Sequence, residues 1–298
     1  MLTRIISGAV GAAIMAVVLY FHDTVVLPIA VAAMIAVMLF ELLRAVKLEK
    51  CIPVLFAVEA CGITMPFLYS CYYYVEKTDK MDCVVRDIRI DGVVTLIAFA
   101  VTLAAAFIIF VTWLKKHKEI RYEQVFFALA AMVLVPQAMS TMVRIDRMNE
   151  KHGLFLLIMG LCGAWIADTG AYFTGVAFGK HKLCPEISPK KTIEGFVGGI
   201  TFTGIAYAVA FSIRSGFTAE RAAIAFVIGA VCAVIGTVGD LSASMVKRQI
   251  GFKDYGKIMP GHGGLMDRFD SILFVLPTFY IMIAVVLENH SVNGLLGK

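Results

Sequence analysis

Apolar runs long enough to cross a lipid bilayer follow one another along almost the whole chain, and a polytopic membrane fold is the architecture that satisfies them. A spanning helix needs about 20 mostly apolar residues. Such runs occupy residues 5–21, 24–46, 51–74, 92–114, 124–143, 153–178, 195–213, 219–244 and 270–287. The composition agrees: of 298 residues, 60% are hydrophobic and 16% charged, whereas soluble domains are about half apolar and about a quarter charged. The expectation is an all-α integral membrane protein, one transmembrane domain over residues 1–298 forming a helix bundle of about nine spans. Only His22 and Asp23 separate the first two runs, so either they form a tight hairpin or one of the two is not a span. The first run carries a signal-like charge at Arg4. No small-x-small cleavage site follows Phe21, however, and a new apolar run begins at Thr24, so the segment is expected to stay as the first span.

Basic residues are retained on the cytoplasmic side of a membrane. With the N-terminus inside, the inner segments collect Arg4, Arg44, Lys47, Lys50, Lys115, Lys116, Lys118 and Arg121, then Lys180, Lys182, Lys190, Lys191, Lys247, Arg248, Lys253, Lys257 and Arg268. That is most of the chain's 27 Lys and Arg residues. The outer loop 75–91 offsets its basic residues with acids. A cytoplasmic N-terminus is expected, with the loops after spans six and eight sharing the nucleotide-containing compartment.

The seven cysteines show no CxxC pairing with histidines, so neither zinc nor a disulfide framework is indicated. The net charge of +5 comes mostly from the inner loops and implies only nearby anionic lipid. Aromatic residues do not alternate with basic ones, and nucleic acid is not a predicted partner.

Residues 239–270, GDLSASMVKRQIGFKDYGKIMPGHGGLMDRFD, break the apolar pattern with clustered charges and glycines. Ionisable residues at membrane depth are functional or paired inside the bundle. Asp240, Ser244, Lys247 and Arg248 fall at helical spacings that put them on one face at the inner end of span eight; an intrahelical ion pair is the bland alternative. Asp267 and Asp270 are three apart, in the expected first turn of span nine, where negative charge is favoured and where plain capping is the alternative. Asp240, Asp267 and Asp270 together offer hard carboxylate oxygens of the kind Mg²⁺ takes beside water and substrate phosphate. No histidine or cysteine clusters with them, which favours magnesium over zinc. Between the acids lies Pro260-Gly261-His262-Gly263-Gly264, bracketed by Lys253, Lys257 and Arg268. Its glycines let backbone N–H groups turn toward an anion. His262 suits either a phosphate contact or a structural role.

A second cluster starts in span six at Trp165-Ile166-Ala167-Asp168-Thr169-Gly170-Ala171-Tyr172, where the acid Asp168 is expected to face the bundle interior. Gly175 and Gly179 continue the Asp168–Tyr172 face and suit close helix packing. The loop that follows, KHKLCPEISPKKTIEG, carries Ser188, Lys190, Lys191 and Glu194. Its lysines are point charges suited to phosphate, and Gly195 and Gly199 read as packing residues entering span seven.

These stretches closely resemble the phosphatidate cytidylyltransferase (CDP-diacylglycerol synthase) family. That family's signature reads S-x-x-K-R, four residues, K-D, then P-G-H-G-G, two residues, D-R-x-D. The chain supplies it as Ser244, Lys247, Arg248, Lys253, Asp254, Pro260 to Gly264, Asp267, Arg268 and Asp270. The family's upstream elements resemble Asp168-Thr169-x-Ala171-Tyr172 and Ile187-Ser188-Pro189-Lys190-Lys191-Thr192-x-Glu194-Gly195. Motifs thus cover roughly residues 165–270, leaving residues 1–150 as spans without motifs and 151–298 as the catalytic spans and cytoplasmic loops.

The resemblance implies that CTP and phosphatidate react to give CDP-diacylglycerol and pyrophosphate for phospholipid biosynthesis. It also implies a homodimer and a Mg²⁺-dependent acidic site, with room for a monovalent cation such as K⁺. The expected reacting set is Asp240, Ser244, Lys247, Arg248, Asp267, Arg268 and Asp270, with metal on Asp240, Asp267 and Asp270. Substrate contacts are expected from Asp168, Ser188, Lys190, Lys191, Glu194, Lys253, Asp254, Gly261, His262, Gly263 and Gly264. The expected location is the bacterial inner membrane, multi-pass, with the site facing the cytoplasm. A cytidylyltransferase for an ether or isoprenoid lipid phosphate would show similar nucleotide loops. An ion-coupled transporter would leave the glycine loop unexplained and would call for an internal repeat, which the sequence lacks. A CDP-alcohol phosphotransferase would need an aspartate pair followed by Gly-x-x-Ala-Arg, and no such string occurs.

Overall fold

The structure, a computed structural model, describes residues 2–77, 90–261, 263–288 and 295. His262, Cys83 and most of the charged 75–91 loop lie outside the described residues, as do the side chains of residues 2–5, 72–77, 90–91 and 287–288. Helices run over α1 (Leu2–Tyr20), α2 (Val26–Ala45), α3 (Ile52–Lys77), α4 (Ile90–Lys115), α5 (Tyr122–Arg147) and α6 (Gly153–Phe178). A short hairpin of β1 (Lys182–Cys184) and β2 (Ser188–Thr192) follows. Then come α7 (Ile193–Ser215), α8 (Ala219–Ile250), α9 (Met266–Phe269) and α10 (Ile272–Glu288). Among the described residues, eight helices are long and apolar enough to cross a membrane, and the apolar part of α1, Ile6–Tyr20, is shorter. The protein is an all-α polytopic membrane protein.

The chain divides into two compact units. The first holds residues 1–148 and 254–267; the second holds 149–253 and 268–298. In the first, α2, α3 and α5 pack around buried Leu27, Ile35, Leu39 and Met139. Gly62 of α3 sits where a Cβ would run into Leu39 and Ile35 of α2, so a missing side chain sets that approach. The α1–α2 junction is a tight turn fastened by the end of α5: Arg147 donates to the carbonyls of His22, Asp23 and Thr24 at 3.3, 3.0 and 3.1 Å. Asp146 Oδ1 lies 2.6 Å from His22 Nδ1.

In the second unit α6, α7, α8 and α10 surround Tyr207, Phe211, Ile228 and Phe279. The fully buried Tyr207 hydroxyl donates to the Met159 carbonyl at 2.6 Å, which satisfies a polar group that would be costly to leave alone there. The small-residue seam of α6 and α7 has a direct steric cause. A Cβ at Gly195 would lie 2.7 Å from the Ala171 carbonyl, and one at Gly199 would lie 2.8 Å from that of Ala167. Gly175 closes the seam near the Gly195 Cα. Thr192 caps α7 by accepting from Gly195 N at 3.1 Å. The 32-residue α8 ends at Gly251, whose φ of +81° is the left-handed stop that glycine adopts without strain.

Candidate active site

In the second unit, the loop after α6 is folded by its own acid. Glu194, in the first turn of α7, accepts from the backbone N–H groups of Lys180 (3.1 Å) and His181 (3.2 Å) and lies 2.6 Å from His181 Nδ1. The β1–β2 pairing, Lys182 with Thr192 and Cys184 with Ser188, then fixes the strand that bears the two lysines. Glu194 was expected among the substrate contacts; its visible work is to hold this hairpin. Lys190 points into the open, and Ser188 is half-buried. Lys191 reaches α8, where its Nζ lies 2.5 Å from Asp240 Oδ2.

Asp240 is therefore joined to a different element and not to a lysine of its own helix. Ser244, one turn further on, donates to Asp240 Oδ1 at 3.4 Å, as the helical spacing predicts. Lys247, on the same helix, lies 3.9 Å from Asp270 Oδ2. The approach of α8 to the start of α10 again depends on glycine: a Cβ at Gly239 would come within 3.1 Å of the Asp270 carbonyl and closer still to the Phe274 ring. Asp168 lies within the electrostatic reach of Lys191 and Asp240, and Asp270 feels both Asp240 and Asp168. Three carboxylates and two lysines thus share one region of this unit. Asp168 is accessible and not sealed in the bundle interior as expected. Arg248, Lys253 and Arg268 are exposed.

The last apolar run, residues 270–287, forms α10, but the turn that carries Asp267 is separate from it. The single turn α9 stops at Phe269, and α10 starts at Ile272. The Asp270 carboxylate accepts from the N–H of Ser271 at 2.8 Å, a local bond that competes with helical continuation. Asp267 and Asp270 consequently do not share the first turn of one long span.

In the first unit, residues 254–267 fold as a loop closed by paired bonds between Met259 and Gly263, 3.0 and 3.1 Å. Gly261 and Gly263 have φ of +79° and +90°, conformations that other residues avoid. Asp267, 8% exposed, accepts from Tyr255 N (2.8 Å) and Gly264 N (3.0 Å) through Oδ2. Asp254, Lys257 and Gly261 lie on the open side of the loop. The amides of Gly263 and Gly264 are engaged by protein acceptors, so the role visible for these glycines is to let the loop double back.

Sequence reasoning missed Glu41 and Arg44 of α2. Glu41, 1% exposed, accepts from Leu265 N at 3.1 Å and Met266 N at 2.8 Å. Arg44 donates to the Tyr255 carbonyl at 3.0 Å. The available signal was a lone acid inside the apolar run VMLFELLRAV.

Among the described residues no three His, Cys, Asp or Glu side chains form a ready metal cage. The oxygen donors that do gather around Asp240 are carboxylates and the Ser244 hydroxyl. Magnesium is commonly held by one or two carboxylates plus substrate phosphate and water, and an open, oxygen-only arrangement suits that mode.

Two lysine–carboxylate pairs, Lys191–Asp240 and Lys247–Asp270, thus gather charge within a polytopic membrane protein. The chain belongs to the cytidylyltransferase family, whose model matches residues 2–286. It is similar to the phosphatidate cytidylyltransferase of Bacillus subtilis, with 33% identity over 284 residues, 95% of this chain and 97% of that protein. It is also similar to the proteins of the same name from Haemophilus influenzae (45% identity over 130 residues) and Staphylococcus saprophyticus (43% over 135). Those two alignments cover 43% and 45% of this chain and 45% and 51% of the respective relatives.

Proposed function

We propose that this protein transfers the cytidylyl group of CTP to phosphatidate, giving CDP-diacylglycerol and pyrophosphate. The observation that carries the reading is the Lys191–Asp240 pair with Asp168, Asp270 and Lys247 around it, in a chain matched nearly end to end by a phosphatidate cytidylyltransferase. A phosphate oxygen of phosphatidate attacks the α-phosphorus of CTP. The new P–O bond forms as the bond to the bridging oxygen breaks, and the electron pair leaves with pyrophosphate. The attacking phosphate is already an anion near neutral pH and needs no strong base, so the protein's task is positioning and neutralising charge. Lys191 and Lys247 supply cations held in place by Asp240 and Asp270. Lys190 and Arg248 extend the positive surface toward the triphosphate.

Asp240 and Asp270, with Asp168 beside them, are the residues that would hold Mg²⁺. The ion would neutralise triphosphate charge. The distribution of Lys and Arg along the sequence supports a cytoplasmic site, where CTP is present, with the lipid arriving from the inner leaflet.

The experiment is to incubate detergent-purified protein with labelled CTP and a panel of lipid phosphates (phosphatidate, an ether analogue, an isoprenoid phosphate), with and without Mg²⁺. Metal-dependent CDP-diacylglycerol from phosphatidate is the expected product. Preferential cytidylylation of another lipid phosphate would reassign the acceptor, and no nucleotide transfer from folded protein would remove the reading.

A further inference from the structure

The signature loop is held from a helix that carries none of the signature. Within the first unit, both carboxylate oxygens of Glu41 are occupied by successive backbone amides, Leu265 and Met266. Two glycines make this possible: a Cβ on Gly256 or Gly264 would collide with the Glu41 carboxylate. One helical turn along α2, Arg44 takes the Tyr255 carbonyl, while the Tyr255 N–H goes to Asp267. The loop thus lies between two carboxylates, its own Asp267 and the Glu41 of α2, and each binds a pair of its amides.

A carboxylate buried this deeply is tolerated only when its lone pairs are used. Hydrogen bonds to a charged acceptor are about twice as strong as neutral ones. Glu41 therefore acts as a clamp on the backbone leading into Asp267.

We infer that Glu41, backed by Arg44, is a positioning residue for the cytidylyl transfer: it fixes the conformation of the 255–267 loop, which carries much of the signature. The inference rests on the proposed reaction and adds to it a residue outside the motif region. Displacing a reacting group by about 1 Å can cost up to about a hundredfold in rate, so loosening this loop should be felt in turnover of CTP more than in binding of the lipid.

Glu41→Gln tests it. The amide keeps the volume and one acceptor oxygen, but it turns an NH₂ donor against the second backbone N–H. The expected result is a fall of about tenfold or more in kcat/KM for CTP, an unchanged KM for phosphatidate, and faster hydrogen exchange in peptides covering residues 264–267. Asp146→Asn is the control for general destabilisation. It breaks the His22 contact near the opposite end of α2, and should lower the melting temperature while leaving CTP kinetics and loop exchange as in the wild type. If Glu41→Gln does not fold, Arg44→Ala replaces it. Arg44 is exposed, so that variant should fold and show the same selective loss in smaller degree.

Wild-type CTP kinetics in these variants would overturn the inference, as would losses that only follow the folded fraction and affect both substrates equally. The exchange measurement needs no turnover. An inactive wild type would therefore count against the proposed reaction, whereas unchanged exchange at 264–267 in Glu41→Gln would count against the clamp.

Discussion

Lys191 Nζ lies 2.5 Å from Asp240 Oδ2, joining the hairpin after α6 to the C-terminal part of α8. Half-buried on both sides, the pair keeps a cation and a carboxylate in one fixed relation before any substrate arrives. If the two act as a unit, their removals should not add. Lys191→Met and Asp240→Asn should each lower kcat/KM for CTP by about a hundredfold or more. The double variant should fall little further, which a double-mutant cycle on purified protein would read.

The glycine seam between α6 and α7 predicts a stability effect separate from chemistry. Gly199→Leu forces a side chain onto the Ala167 carbonyl and should destabilise by about 1–3 kcal/mol. Gly92→Ala in α4 has open space around the new Cβ and should be neutral or stabilising, by up to about 1 kcal/mol. Melting temperatures in one detergent would separate the two. Equal melting temperatures for Gly199→Leu and the wild type would contradict the packing.

His152 precedes α6 and accepts a hydrogen bond from Arg214 Nη2 through Nδ1 at 3.0 Å. Burial first, then the charges of Arg214 and Lys151, hold the imidazole below its ordinary pKa of 6.5. With the folded value depressed, the unfolded chain binds the proton more readily. The contribution of this contact is therefore present above pH 6.5 and lost as the pH falls through the lower, folded value. Melting temperature measured against pH should drop on the acid side in the wild type, and the drop should be shallower in His152→Gln.

Membrane class, helix positions and the charged clusters were legible because lipid imposes a length and an apolar character on each span. Asp240, Ser244 and Lys247 sit on α8 where helical spacing put them. What could not be read was the partner of each group. Asp240 took a lysine from a loop 49 positions earlier, and Glu194 turned to backbone amides of its own hairpin. The break between α9 and α10 was hidden because a three-residue spacing of Asp267 and Asp270 looks the same with or without a single capping bond. Glu41 escaped notice because its role depends on a loop more than 200 residues away in sequence, and no local pattern records that distance.

The most direct measurement is the rate of CDP-diacylglycerol formation from CTP and phosphatidate by wild type and Asp240→Asn side by side, with the melting temperature of each. Metal-dependent product from the wild type, and a loss of about a hundredfold or more in an Asp240→Asn protein that melts normally, is the predicted result. An Asp240→Asn protein turning over at the wild-type rate would place the chemistry elsewhere in the molecule.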